Sequence, residues 1–253
     1  QINYPTADLA VGDAAVKKLV ELIDMLALDE PSDAAVSADG SQIAINRPAG
    51  QQYHVLIFLE RLRKSRGLPT RSKYPSELVS AEPVLHLLRD RLSRPTTFAV
   101  VDWTPLIDVF DYWQDSSGLE LLVDWRELAA IELRPLSTAA ASADQVPWCA
   151  ALDDCLAPLN LGWIPIDGVS LQITTAAAAA NYRWIEFYPV GKLETLAPRQ
   201  QSADGLREAL AERCDPQSIG QAILIDDPAG KQVIVKGNRA VHEGILKLTD
   251  ASY

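Results

Sequence analysis

Apolar residues recur along this chain either at the spacing of a helix or at the spacing of a strand. The same order of helical and strand spacing occurs near both ends. Near the start, apolar residues at helical spacing between Val16 and Leu26 precede two short segments around a turn and then the run "YHVLIFLERL". Near the end, Leu206 and Leu210 precede "AILIDD", "KQVIVKG" and "VHEGILKLTD". Apolar residues three or four positions apart indicate a helix face, and alternation of apolar and polar residues indicates a strand. The sequence near each end therefore predicts the element order β-α-β-β-α.

A short motif strengthens the similarity between the two ends. The sequence "NYPTADL" of residues 3–9 returns as "FYPVGKL" in residues 187–193, with Tyr-Pro and the later Leu at the same spacing. Self-similarity of this kind indicates an internal repeat. We therefore predict two homologous outer modules, residues 1–66 and 182–253.

A histidine occupies the same place in both predicted modules. His54 and His242 each stand three residues before an isoleucine, at the predicted first turn of the closing helix. A side chain there meets free backbone N–H groups, and a neutral imidazole can accept a hydrogen bond from them. The two histidines lie in separate modules with no shared acid or nucleophile beside them, whereas a general base needs an oriented partner. We interpret both as structural helix-start residues.

The middle of the chain predicts a linker and a third module. Four prolines divide residues 67–95 into a linker with one short helix, Val84 to Leu92. In residues 96–175, a strand leads to Thr104 as N-cap and Pro105 at the first helical position, and a second strand-helix-hairpin arrangement follows. The next run, "TTAAAAAN", is interpreted as a low-complexity connector.

Together these patterns predict the α+β class. The architecture is three small modules, in which two outer β-α-β-β-α repeats flank a central βαβ/βαββ module.

Charge narrows the classes of partner. The 253 residues carry 34 acidic and 23 basic side chains, a formal net charge of -11. Such a surface repels phosphate backbones and anionic lipid headgroups, so neither nucleic acid nor membrane is an expected partner. The longest apolar run is far shorter than the roughly 20 residues that cross a bilayer. The sequence starts at Gln1 without methionine, which is compatible with export after loss of a signal peptide.

The three cysteines, Cys149, Cys155 and Cys214, are interpreted as thiols packed against apolar helix positions. No C-x-x-C spacing is present, and neither a metal nor another cofactor is predicted. The sequence leaves their redox state open.

No catalytic motif supports an enzyme. Asp108, Asp111 and Asp115 recur at helical spacing, which is typical of a solvated helix face. A hydrolase acting on a carbohydrate or peptide through these carboxylates stays the alternative, because glycosidases also use paired acids. Two tryptophans at predicted strand ends, Trp103 and Trp125, each follow an aspartate and form a candidate partner-binding rim.

The segments "DWTPLIDVFDYWQDSSGLELLVDW" and "VPWCAALDDCLAPLNLGWIPIDGVSLQIT" resemble the secretin and TonB short N-terminal domain over about residues 96–175. The flanking repeats resemble the ring-building modules found beside that domain in secretins. The whole arrangement is similar to a group of planctomycete envelope proteins. This resemblance implies a periplasmic or cell-envelope protein that binds other proteins without chemistry. No secretin barrel region or receptor plug accompanies these segments.

The expected function is therefore a non-catalytic interaction or scaffold protein that binds a protein partner or itself through sheet edges. A small-ligand module with a closed apolar cavity at a module junction is a third reading.

Overall fold

The computed structural model confirms the α+β class. It describes residues 1–28, 30–75, 78–193 and 201–249, with backbone only at positions 102 and 192. The predicted linker 67–95 and the predicted module 182–253 therefore lie partly outside the described residues. Within these ranges no helix is both long enough and apolar enough to cross a bilayer.

The N-terminal segment has the predicted order of elements: β1 (Ile2–Pro5), α1 (Asp13–Leu22), β2 (Ala35–Val36), β3 (Gln42–Ile45) and α2 (Ala49–Ser65). A wider π-helical stretch, Ile23–Leu28, extends α1. The antiparallel sheet has the order β1-β3-β2. Alternation in β3 buries Ile43 and Ile45 completely, as a sheet covered on one face requires.

The middle segment contains ten labelled elements and two sheets. They are α3 (Val84–Leu92), β4 (Pro95–Pro105), α4 (Leu106–Ser117), β5 (Glu120–Val123), α5 (Trp125–Ala130), β6 (Thr138–Pro147), α6 (Trp148–Leu156), β7 (Leu161–Pro165), β8 (Ser170–Thr175) and α7 (Ala176–Asn181). β4 pairs with β6 in a two-stranded ribbon, and the other sheet has the order β5-β8-β7. β5 runs parallel to β8, and β7 antiparallel.

Two local predictions in this segment are wrong. The N-cap of α4 is Pro105 rather than Thr104, and the first helical residue is Leu106 rather than Pro105. The alanine run is not a connector: it forms α7, whose first turn is capped by Thr175 accepting a hydrogen bond from the Ala178 N–H at 3.2 Å. Alanine has the highest helix propensity, and this cap lets even six residues form a helix.

The C-terminal segment comprises β9 (Trp184–Pro189), α8 (Ala203–Ala211), α9 (Pro216–Gln221), β10 (Ile223–Asp227), β11 (Gln232–Gly237) and α10 (Arg239–Thr249). Its sheet has the order β10-β11-β9, so the second hairpin strand is central, as β3 is in the N-terminal sheet. The short α9 is an addition to the predicted order.

The chain folds into two compact units that are not contiguous in sequence. Unit 1 comprises residues 1–81, 185–209 and 223–236, and unit 2 comprises residues 82–184, 210–222 and 237–253. The C-terminal segment thus contributes its sheet to unit 1 and its helices α9 and α10 to unit 2. The three predicted module boundaries stay a prediction.

In unit 1, α2 packs against both sheets. Val55 and Leu59 are completely buried beside Ile43 and Ile45 in one core. Phe58 stacks on Phe187 of β9 with ring centroids 6.2 Å apart. The core of unit 2 gathers the apolar faces of α3, α4 and α6 around β7 and β8, and also contains Leu246 of α10.

Candidate functional site

The β4–β6 ribbon of unit 2 carries a wide bulge. Val100 pairs with Ala141 and Thr104 pairs with Ala139, so the three residues 101–103 of β4 lie opposite Ala140 alone. The Thr104 hydroxyl donates to the Val101 carbonyl at 2.9 Å across the bulge. Bulges end regular pairing and redirect side chains, which makes this place in the ribbon a candidate site.

Trp103 is the most exposed tryptophan of the described residues and has an unusual backbone. Its side chain is 84% exposed, and its φ is 78°. A bulky residue at positive φ is an outlier that costs on the order of 1–3 kcal/mol. Neither burial nor backbone preference accounts for tryptophan at this position.

Other exposed apolar side chains lie close to Trp103 in the fold. Pro105 of β4 pairs with Thr138 of β6. Trp103 and Ile107 lie two residues before and after Pro105, and Leu136 lies two residues before Thr138. Their exposures are 84%, 39% and 78%. With Val101, which is 74% exposed on the bulge, they form what we name the tryptophan patch: Val101, Trp103, Ile107 and Leu136. Clustered exposed apolar residues mark interaction sites more often than scattered ones.

Trp125 lies in a different environment from Trp103. It is half-buried at the first position of α5, packs against the core of unit 2, and has its ring centroid 6.0 Å from that of Phe110. The structure thus directs one of the two predicted rim tryptophans to solvent and the other to the core edge. No sequence motif marks Val101 or Leu136: Val101 is exposed on the bulge of β4, and Leu136 is exposed in the turn before β6.

The ribbon also presents unpaired strand edges. β4 and β6 pair only with each other, and among the described residues no other backbone group bonds to the N–H or C=O groups of residues 97–104 or 139–146. A cleft of about 300 Å³ follows β6, lined by Ala140, Ser142, Asp154 and Pro158 among others. Open edges of this length are templates for an added strand.

The charged residues on the two strands of the ribbon are acidic, while the exposed Arg94 and Arg134 lie in the segments that lead into β4 and β6. β4 and β6 contain no lysine or arginine, the residues that commonly protect a strand edge. Asp144 on β6 and Asp154 on α6 are exposed, as are the three aspartates of α4, Asp108, Asp111 and Asp115. The carboxylates of α4 thus have the setting of a solvated helix face, and the strands of the ribbon carry acidic side chains without a basic one.

The two histidines occupy unlike environments. His54 is the sixth residue of α2 and is exposed, so it does not lie in the first turn. His242, the fourth residue of α10, is completely buried; its Nε2 lies 3.2 Å from the Trp184 carbonyl oxygen, and its ring stacks on Trp184 at 4.4 Å. The α10 N-terminus is capped by Asn238, whose Oδ1 accepts from the Val241 N–H at 3.2 Å. The structural reading of both histidines stays a prediction.

The thiols are free, and burial raises the pKa of Cys149, Cys155 and Cys214. Cys155 is buried in the core, and the other two are half-buried. Within the described ranges, no three His, Cys, Asp or Glu side chains are grouped so that they could hold a metal ion.

No protein-family model matches the sequence, and no curated protein matches it either. Among solved structures, the chain is similar to a dimeric cysteine variant of the N-terminal domain of the secretin XcpQ from Pseudomonas aeruginosa, with 15% sequence identity and a TM-score of 0.22. The alignment covers 61% of this chain and 62% of that one, so the chain spans less than two thirds of it.

Proposed function

We propose that this chain is a non-catalytic protein-interaction component of the cell envelope that docks an extended segment of another protein on the β4–β6 ribbon. The observation that carries the proposal is Trp103, 84% exposed at a φ of 78° beside unpaired strand edges. A strained residue that contributes little to the core is typical of a binding surface.

Strand addition is the mode of binding that the ribbon favours. Main-chain hydrogen bonds from an added strand would satisfy the open edge groups, and an exposed aromatic side chain would supply the buried anchor that interfaces commonly use. A two-stranded ribbon is marginal alone, and a third strand would extend the sheet.

Charge selects the chemistry of the partner. Asp144 and Asp154 beside the ribbon and the aspartates of α4 favour an extended segment in which apolar residues alternate with lysine or arginine. A second copy of the same ribbon would bring like charges together, so we assign the surface to a different protein rather than to self-association.

The proposed envelope location is supported by the resemblance of residues 96–175 to the secretin and TonB short N-terminal domain. Fractionation of the native organism tests it directly. Recovery in the periplasmic or envelope fraction is expected, and recovery in the cytosol would contradict the proposed location while leaving the docking surface untouched.

The docking surface is tested by selecting peptides from a random display library on the immobilised chain. We expect enrichment of alternating apolar and basic residues, binding that weakens with salt, and loss of binding when alternate peptide amides are N-methylated. Trp103→Ala should remove binding. Leu122→Ala, which truncates a 45% exposed residue of β5 in the same unit, is the matched control and should leave binding intact.

Two outcomes would count against the proposal. Selected peptides that bind Trp103→Ala as well as the original chain would move the site elsewhere. Sedimentation that shows concentration-dependent dimers lost on Trp103→Ala would assign the surface to a second copy of the chain.

A further inference from the structure

Unit 1 contains a groove that is independent of the ribbon. It has a volume of about 340 Å³ and runs between the edge strand β1 and helix α2, with Arg71, Ser72 and Tyr74 along its third side. Its lining is largely apolar, with Ile2 and Leu56 on opposite walls. A preformed apolar groove with a few polar groups is the usual form of a ligand site.

A network of buried charges holds the three sides of this groove together. Glu60 is 1% exposed, and its carboxylate accepts from Arg63 Nη1 at 2.7 Å, from the Arg71 N–H at 2.7 Å and from the Ser72 N–H at 3.1 Å. Arg63 in turn donates to the Pro5 carbonyl of β1 and to Asp8 at 2.8 Å. Since α2 thereby anchors both other sides, the groove is organised before any ligand binds.

The edge of β1 offers main-chain hydrogen bonds at one residue. The Thr6 N–H donates to the Ser41 carbonyl of the neighbouring chain segment. Because hydrogen-bonded pairs alternate along an antiparallel ladder, the backbone N–H and C=O groups of Tyr4 and Ile2 point toward β3. The backbone groups of Asn3 and Pro5 point away from β3. Pro5 has no N–H, and Arg63 already occupies its carbonyl. An added chain can therefore pair with Asn3 but cannot continue past Pro5, which suits a chain that ends there.

A cation and an unused donor lie on the side of the groove opposite this edge. Arg71 is 43% exposed and contacts only Asp8, at 3.1 Å, among the ion pairs of the described residues. The buried Ser72 hydroxyl has no hydrogen-bond partner among the described residues. The other charged lining groups, Glu60 and Arg63, are paired with each other. The groove therefore presents the partly exposed Arg71 guanidinium, which also contacts Asp8, and the Ser72 hydroxyl, which has no partner among the described residues. Together they match a carboxylate.

Two tyrosines provide an apolar surface in the groove. Tyr53 and Tyr74 make an edge-to-face contact with ring centroids 5.8 Å apart, and they are 40% and 46% exposed. Tyrosine pairs at a partly exposed surface bind apolar side chains with little loss of conformational freedom.

We propose that this groove binds the C-terminal end of an extended apolar peptide. The main chain of the peptide pairs with Asn3, its last apolar side chain lies on Tyr53 and Tyr74, and its terminal carboxylate is held by Arg71 and Ser72. This mode combines strand addition with carboxylate capture.

The experiment uses the whole chain and two fluorescein-labelled hexapeptides of sequence Val-Thr-Val-Thr-Val-Leu, one with a free C-terminal carboxylate and one with a C-terminal amide. Fluorescence anisotropy should show the carboxylate form binding about tenfold more tightly, which corresponds to about 1.4 kcal/mol. Arg71→Gln should abolish the difference between the two forms, and Tyr74→Ala should weaken both equally. Lys73→Gln, which removes an exposed charge beside Arg71, is the matched control.

Thermal unfolding of each variant checks that unit 1 is intact, and Arg71→Lys provides a second test because it keeps the charge if Arg71→Gln fails to fold. The backbone amide resonance of Asn3 should shift on titration with the carboxylate peptide. Equal binding of the two peptides, absence of binding at millimolar peptide, or an unshifted Asn3 resonance would each overturn the assignment. None of these results depends on the ribbon of unit 2, so the two proposals fail separately.

Discussion

Arg66 and Asp227, 161 positions apart in the sequence, form a two-point ion pair within unit 1. Arg66 Nε lies 3.0 Å from one carboxylate oxygen of Asp227, and Nη2 lies 2.7 Å from the other. Asp227 is 4% exposed and also accepts from the Gln232 amide at 2.8 Å. This pair joins the end of α2 to the hairpin of the C-terminal sheet, so it holds two segments that are distant in sequence together within unit 1.

Breaking one side of this pair should destabilise unit 1 strongly. Arg66→Gln or Asp227→Asn alone is expected to cost about 3–5 kcal/mol, because the remaining charge is left buried. The double variant should lose less stability than the sum of the two single losses. Arg66→Lys should keep only part of the stabilisation that Arg66 provides, since an ammonium group cannot make both hydrogen bonds. Denaturant unfolding of the original chain, the two single variants and the double variant measures the coupling free energy between Arg66 and Asp227.

The control is the pair Arg239–Asp153 of unit 2, which is 2.9 Å long and has side chains that are 25% and 46% exposed. Its Arg239→Gln and Asp153→Asn cycle should give a coupling of less than about 1 kcal/mol. Equal coupling energies at the two pairs would contradict the importance that we give to burial at Arg66.

The element order at both ends could be predicted from periodicity, but the packing of α2 could not. Between its apolar positions α2 contains Arg61 and Arg63, for which the sequence pattern indicates no partner. In the structure Arg61 donates to the Ile185 carbonyl at 2.6 Å, and Arg63 is 2% exposed. Periodicity cannot distinguish a solvated arginine from one whose partners come from a distant segment.

The ribbon was equally hard to predict. β6 consists mainly of alanine, serine and threonine and lacks the β-branched apolar run of a typical strand, so only its pairing with β4 makes it a strand. The exposure of Trp103 depends on the same pairing. The sequence placed this residue at a strand end, whereas the structure places it within β4 on a bulge.

Replacing Trp103 should separate stability from binding. Asparagine tolerates positive φ, so Trp103→Asn should leave the free energy of unfolding within about 0.5 kcal/mol of the original or raise it. Trp113, 2% exposed in the core of the same unit, is the contrasting position, and Trp113→Ala should cost about 3–5 kcal/mol. Chemical denaturation checks both. A loss above about 1 kcal/mol for Trp103→Asn would mean that the tryptophan stabilises the fold.

The two histidines should respond differently to the same substitution. His242→Gln removes the stacking on Trp184 and disturbs a buried polar contact, so we expect a loss of about 1–3 kcal/mol. His54→Gln changes an exposed side chain and should shift stability by less than about 0.5 kcal/mol. Thermal unfolding of the two variants and the original chain in one buffer measures both losses. Comparable losses would instead support equivalent structural roles in the two helices.

Glu243 on α10 should make stability depend on pH. Burial raises the pKa of its carboxyl, and the nearby Arg239 and Lys247 lower it only in part. The pKa of an unfolded glutamate is about 4.3. The folded state therefore holds the proton to a higher pH than the unfolded state does, and the stability contributed by Glu243 falls as pH rises through that interval.

Glu243→Gln should remove this dependence. Below the unfolded pKa the two proteins should have similar stability, while toward neutral pH the glutamine variant should become the more stable of the two. Melting temperatures at steps between about pH 4 and 7 measure the difference across the glutamate titration range. Glu208→Gln, at an exposed position of α8, makes the same charge change without burial and should not alter the profile. If Glu243→Gln instead loses stability as pH rises, attraction to Arg239 outweighs the cost of burying the carboxylate.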